Sequence, residues 1–410
     1  MLSEFEKEFV HGEAIELSDE NPEVTLALSK LARELIRVLE ERYVSPIRIA
    51  FNEIRKLLRV ERFDEGAGEG GEIVIAVDST WSRPALELVA GVFGIIVSGY
   101  VVVGPSGISF YGITDVSLRL GNAENRLNVI IELDSKILEL NTALKAVEKH
   151  KYVDMVVLDG SLFFSTKPSF FTPKSFPDIS EVKRASNPDK LASYASYALI
   201  RLLKKCEGMQ IPVIGVVKRV SSTFIATLIG NSSPQLHSKL KHINDKTLLS
   251  YVLKPGEYVV LESYLNIFKE HLQRAMDGNL SSKKRLENIL NTLEKCNTSK
   301  AYELLQELCK FMENTAIVYY MPKSDMVFRQ VTRLDVYPRT AVEKVLGYVM
   351  KNTSQNAVPI PIDYVDRFVR LESSAMRRLY KLALIYSGEA NENISIALGL
   401  TNPQKSYLYE

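Results

Sequence analysis

The chain has 410 residues, 46% hydrophobic and 25% charged, with 51 basic against 50 acidic side chains. That composition excludes an intrinsically disordered chain, a collagen-like repeat and a disulfide-stapled miniprotein. A net charge of +1 gives no overall pull on a polyanion, so any nucleic-acid surface must be local and offset by acids elsewhere.

The opening stretch MLSEFEKEFVHGEAIEL is acidic and lacks an apolar core, which argues against a secretory signal. From about Asn21 to Leu58 apolar residues recur at helical spacing. Gly66, Gly68, Gly70 and Gly71 then mark a turn. EIVIAVDST predicts a short strand running into Asp78. The apolar run from Leu86 to Gly104 approaches the roughly 20 residues a membrane span needs. Its glycines, Val and Ile predict buried β-structure instead, continuing with ISFYGITDV as a meander. A helix is expected from Glu124 to Lys149, then the strand MVVLDGSLF, a Pro- and Ser-rich loop, the helix LASYASYALIRLLKKC and the strand VIGVVKRV. Residues from about Ile229 to Asn314 read as polar and mostly helical, AIVYYM and VFRQVTRLDVY as strands, and Tyr364 to Ile385 as helix. The order predicts an α/β protein, a mixed sheet covered by helices, in which helical crossovers allow parallel strands.

Cys206, Cys296 and Cys309 form no CxxC pair, and the five histidines show no close ligand spacing. They read as reduced thiols of a cytoplasmic protein, without a zinc site. The informative feature is a pair of buried-looking strands ending in VDST, with Asp78, and LDGS, with Asp159. Ligands collect at strand ends in α/β sheets, and two neighbouring carboxylates there repel each other unless a divalent cation lies between them. Mg²⁺ and Mn²⁺ take oxygen ligands. A strand-end Asp also makes an ordinary Asx turn, so both readings stay open from pattern alone.

Further acids fit the same picture. Glu139 interrupts the apolar face Leu138, Leu140, Leu144, with Glu132 and Glu148 as rivals. Asp363 and Asp366 open a C-terminal helix, where they could simply complement its dipole. Lys218 and Arg219 end a third core strand. Arg329 and Arg333 are four apart and would share one face of a strand. Two such cations suit phosphate, although unpaired surface arginines would read the same way.

The ordered set AVDS, LEL…DMVVLDGSL, VIGVVKR, DKTLLSYVLKPGE, FRQVTRLDVYP and VPIPIDYVD, from about residue 73 to 375, resembles the NurA nucleases. The resemblance implies an RNase H-like fold and a manganese-dependent DNA nuclease, a 5′-to-3′ exonuclease with single-strand endonuclease activity. It also implies a homodimer working in the cytoplasm with the hexameric translocase HerA on DNA ends. Asp78, Glu139, Asp159 and Asp366 are then the metal ligands for one or two Mn²⁺ or Mg²⁺ ions, and Lys218 joins them as a catalytic residue. Lys218, Arg219, Arg329 and Arg333 are the expected DNA contacts. The domain reading is a helical, acidic extension over 1–65, a nuclease domain over 66–390 with a helical insertion near 229–314, and a tail over 391–410.

Two positions depart from the family pattern: Ser79 stands where the family usually has glycine, and Val358 where it has tyrosine. They motivate an alternative, a catalytically silent paralogue that regulates a translocase. An RNase H-like enzyme acting on RNA or a hybrid shares the same acids. Phe163, Phe164, Phe170 and Phe171 after the DGS motif either stack on unpaired bases or pack the core.

Overall fold

The computed structural model describes residues 22–63, 71–82, 86–88, 91–121, 124–165, 167–176, 178–278, 283–298, 302–323, 330–371, 378, 379 and 382. The acidic N-terminal stretch, Gly66, Gly68, Gly70, Arg329 and the C-terminal tail lie outside them.

Helices α1 (Pro22–Leu39) and α2 (Ser45–Leu58) are joined by a π-helical turn at Glu40–Val44. α2 buries Ile47, Ala50, Ile54 and Leu58, the single stripe expected of an amphipathic helix packed on one side. Strands β1 (Glu61–Arg62), β2 (Val74–Trp81), β3 (Leu86–Leu88), β4 (Gly91–Gly104) and β5 (Gly107–Gly121) come next. They lead to α3 (Glu124–Lys149), β6 (Met155–Asp159), α4 (Ile179–Arg184), α5 (Pro188–Gly208) and β7 (Val213–Val217). α5 begins where its sequence says it should: the Asn187 side chain accepts from the backbone N–H groups of Asp189 and Lys190, and Pro188 occupies the first turn.

The segment expected as a helical insertion holds α6 (Phe224–Ser232), α7 (Pro234–Leu240), α8 (Asp245–Val252), β8 (Glu257–Leu261), α9 (Tyr264–Gly278), α10 (Lys283–Glu294) and α11 (Glu303–Glu313). Helices dominate it, but β8 pairs with β1 and β9 (Ala316–Tyr320), so the segment is woven into the sheet. β10 (Thr332–Tyr337), α12 (Val342–Lys351) and α13 (Ile360–Val369) complete the described fold.

All ten strands form one sheet, ordered β1-β8-β9-β10-β7-β6-β2-β4-β3, with β5 on the other side of β4. β2, β6 and β7 are mutually parallel and the remaining pairs antiparallel. Alternation along the strands divides the core in two. Ile75, Val77, Val156, Leu158 and Val213 face the larger core with α3 and α5. Val74, Ala76, Met155, Val157, Ile214 and Val216 face the smaller core under α12 and α13. This is the helix-covered mixed α/β sheet expected from the sequence. Leu86–Gly104 supplies β3 and all of β4, and no described helix is long and apolar enough to cross a membrane.

One expectation is corrected. Cys296 and Cys309, read as free thiols, are joined as a disulfide across 13 residues with Cα atoms 6.1 Å apart. The turn after α10 folds back onto α11, a proximity that linear spacing does not reveal. Cys206 is free and buried. Phe163, Phe170 and Phe171 are buried, in an aromatic cluster that includes Tyr264 and Phe268, so they pack the core. Phe163 and the half-buried Phe164 also line the cleft described next.

Candidate active site

Strand register builds the site. Val77 of β2 lies beside Leu158 of β6, and Asp159 beside Val216 of β7. Side chains alternate between faces, so Asp78, Asp159 and Lys218 continue the rows Val74–Ala76, Met155–Val157 and Ile214–Val216. All three therefore emerge at the C-terminal ends of the parallel strands, toward the face covered by α13, which brings Asp366. Two glycines permit the close approach. Gly160 adopts φ +98°, a conformation that disfavours a side chain. A Cβ on Gly215 would stand 2.6 Å from the Gly160 carbonyl oxygen and 2.9 Å from the Leu162 nitrogen.

The opposite face contributes α3. Of its three candidate acids, Glu139 is 3% exposed, whereas Glu132 and Glu148 are exposed to solvent. Lys136, one turn earlier on the same helix, donates from Nζ to Glu139 Oε1 at 2.6 Å and to the Asp159 carbonyl oxygen at 2.6 Å. It ties the helix to the DGS turn, and the sequence reading missed it; its signal was the i, i+3 spacing to an acid. Ser79 is also part of this lattice. Its Oγ pairs with Ser135 Oγ at 2.7 Å and donates to Glu139 Oε2 at 3.3 Å, and its N–H donates to Asp78 Oδ1 at 2.7 Å. The hydroxyl that replaces glycine in the family pattern thus braces Glu139.

Burial drives the electrostatics. Asp78 is held well above the usual carboxylate range by burial and by repulsion from Asp159 and Glu139, against the opposing pull of Lys218. Glu139 is pushed up to about 7, mainly by burial, with Lys136 resisting. Burial pulls the Lys218 ammonium down, but attraction from Asp159, Asp366 and Asp78 outweighs it and raises the group overall.

Lys218 Nζ lies 3.1 Å from Asp159 Oδ2 and 3.4 Å from Asp366 Oδ2. Asp366 itself is 57% exposed and reaches the cluster through this lysine. Asp363 turns away to accept from Asn356. Arg219 is exposed beside Lys218. Arg333 lines the same cleft but is set deeper in it. It is 4% exposed, is ion-paired to Asp335 at 2.8 Å and lies over the Phe224 and Tyr264 rings. Leu334 and Val336 face the smaller core, so alternation sends Arg333 to the other face. Its guanidinium is therefore held by an internal partner within the cleft. Val358 is buried in the smaller core.

The cleft that gathers Asp78, Glu139, Asp159, Lys218 and Asp366 has a volume of about 970 Å³. Its donors are hard oxygens, and two of its acids are buried and held against ionisation by each other and by their surroundings. That donor set fits a Mn²⁺ or Mg²⁺ ion. Among the described residues no three acids, histidines or cysteines are drawn together as a closed ligand set; Lys136 and Lys218 stand between the carboxylates instead.

A mixed sheet with carboxylates at the ends of its parallel strands and helices on both faces is the α/β architecture expected of an RNase H-like protein. The NurA domain family matches residues 72–371, and the chain belongs to that family. The fold is similar to the crystal structure of the NurA nuclease from Sulfolobus solfataricus, with TM-score 0.56 at 13% identity over 89% of this chain and 98% of that one. It is also similar to the crystal structure of NurA bound to dAMP and manganese, with TM-score 0.50 at 13% identity over 92% and 99%. No curated protein matches the sequence. Family membership supports a nuclease function.

Proposed function

We propose that the protein is a divalent-metal-dependent deoxyribonuclease, a 5′-to-3′ exonuclease with single-strand endonuclease activity. The observation that carries the reading is the convergence of Asp78, Asp159, Glu139 and the Lys218–Asp366 pair on one cleft from β2, β6, α3, β7 and α13. Asp78, Glu139, Asp159 and Asp366 would hold one or two Mn²⁺ or Mg²⁺ ions; bound there, such an ion lowers the pKa of water and neutralises phosphoryl oxygens. The chain's own residues do the rest. Lys218 sets a positive charge where negative charge grows on the scissile phosphate. Lys136 and Ser79 fix the Glu139 carboxylate, so that it is oriented toward the cleft without reorganising. The manganese seen with another NurA protein supports the choice of metal. Retention of all four acids favours an enzyme over a silent paralogue.

We assign the partners by the same reading: DNA, a HerA-type hexameric translocase in DNA-end processing, and a second copy of the chain in the cytoplasm. The homodimer has a structural support. β5 bonds to β4 alone among the described strands, and its outer face exposes Ile108, Tyr111, Ile113, Val116, Leu118 and Leu120. These six side chains share one face of the sheet, an apolar surface that packing against a second copy covers, while the unpaired edge of β5 offers its backbone beside it.

The test is cleavage of labelled DNA, RNA and hybrid strands with Mn²⁺, using Asp159→Asn as control. Cleavage of DNA by the wild type, reduced to background in the variant while its circular dichroism is unchanged, is the expected result. Undiminished cleavage by the variant, or a preference for RNA, overturns the assignment.

A further inference from the structure

Lys218–Ser221 is a shared wall. On one side lies the acidic cleft; on the other lies a second concavity of about 730 Å³ that runs to α8. The two differ in charge. Lys218, Arg219 and Lys246 line the second cavity, and no described carboxylate does. Lys246 is half-buried and donates from Nζ to the Lys218 carbonyl oxygen at 2.9 Å. One N–H is thus used to fix the ammonium beside the acidic cleft, leaving two for another acceptor. Arg219 is exposed and, among the described residues, has no ion pair. Ser221 and Asn244 add neutral polar groups. At the rim Tyr251 is 51% exposed, and its ring packs against no other described aromatic or cation. A half-exposed tyrosine beside three cations is not explained by core packing, since its neighbours Leu248, Leu249 and Val252 supply the buried face of α8.

We propose that this basic cavity is a nucleotide subsite for single-stranded DNA. Arg219 and Lys246 hold the phosphate next to the scissile one, and Tyr251 stacks on its unpaired base. The inference rests on the nuclease reading of the acidic cleft and adds to it the place where the unpaired strand is held. A base within a duplex has both faces covered and offers nothing to Tyr251, so the subsite selects a frayed or single-stranded end. The cations read phosphate and the ring reads any π-face, which makes the contact independent of sequence. Lys218 borders both cavities, so the strand passes from the cutting centre to the subsite without a gap.

The test uses the full-length protein in EDTA and a fluorescein-labelled 12-mer of thymidine, read by anisotropy. A matched duplex and the same strand with abasic positions serve as comparisons. Tyr251→Ala is expected to weaken single-strand binding about 5- to 150-fold, the range for one base–aromatic stack, and to leave duplex affinity unchanged. Tyr251→Phe should retain wild-type affinity. Abasic strand should bind wild type as weakly as Tyr251→Ala does. Lys246→Gln should reduce the slope of affinity against salt by about one phosphate contact. If wild type cleaves DNA in Mn²⁺ but Tyr251→Ala binds the 12-mer as well as wild type does, the subsite is wrong and the nuclease reading stands. If wild type neither binds nor cleaves DNA, both fall.

Discussion

Replacing Glu139 with glutamine in the metal-free protein is expected to stabilise the fold, by an amount that depends on pH. The folded-state value of Glu139 is about 7 against an ordinary 4.5, so the folded chain holds this proton more tightly than the unfolded chain does. The group's stabilising contribution is therefore complete below pH 4.5 and is lost as pH rises through 7. At about 1.4 kcal/mol per pH unit, the interval from 4.5 to about 7 is worth about 3 kcal/mol. Little discounting for solvent is needed, because the side chain is 3% exposed. Glutamine mimics the protonated acid and keeps an oxygen for Lys136. The stability gained over wild type should climb from under about 1 kcal/mol at pH 5 to about 3 kcal/mol at pH 8. Urea unfolding in EDTA between these limits measures it, provided the m-value stays constant. Asp78 is raised for the same reason, so the wild-type slope is steeper than one group explains, and the difference between proteins isolates Glu139. Added Mn²⁺ should reverse the ranking at pH 8, since a ligand of the folded state stabilises the protein that binds it better. A gap between wild type and variant that does not change with pH would refute the electrostatic account.

Asp159→Asn should lose Mn²⁺ binding by calorimetry as well as cleavage; full affinity in the variant would remove Asp159 from the ligand set. Gly215→Ala should cost about 1–3 kcal/mol, the range for overpacking a close-packed core, because its methyl group meets the Gly160 carbonyl and the Leu162 nitrogen, both backbone. Chemical denaturation with unchanged stability would show that this contact has slack. Arg333→Ala should destabilise by about 3–5 kcal/mol by leaving Asp335 buried and uncompensated, yet leave the salt dependence of DNA binding unaltered in the folded fraction. A shallower salt slope would return Arg333 to the DNA surface.

How legible the site is depends on which physical rule each residue follows. Asp78, Asp159 and Lys218 end β-branched runs, and period-two alternation carries them from sequence to a common face. Glu139 is legible because it interrupts an apolar helical face. Lys136 escapes notice for the converse reason. A lysine on a helix ordinarily marks a solvated side, but α3 is buried along most of its length, with Asp134, Ser135, Lys136 and Glu139 all enclosed. The setting of Arg333 is not legible because alternation states only that neighbouring side chains oppose each other, not which of two covered faces is polar; here the side it takes holds Asp335, Ser161 and Asp245. β8 hides among helical residues because its five residues, EYVVL, gain their identity from β1 and β9, which lie far away in the chain. The Cys296–Cys309 bond depends likewise on a helix reversal that no local pattern encodes.

The wide scatter of the acids along the chain carries a consequence for the timing of biogenesis. Ser79 and Glu139 are separated by 60 residues, and Lys218 and Asp366 by 148. A ribosome adding about 5–20 residues each second therefore releases the strand-end aspartates many seconds before α13 can dock. Throughout that window the growing polypeptide lacks Asp366, although it emerges in a cell crowded with nucleic acid. On the proposed ligand assignment, a prematurely terminated product also lacks this carboxylate. On that assignment, chain connectivity alone sets the order in which the carboxylates become available.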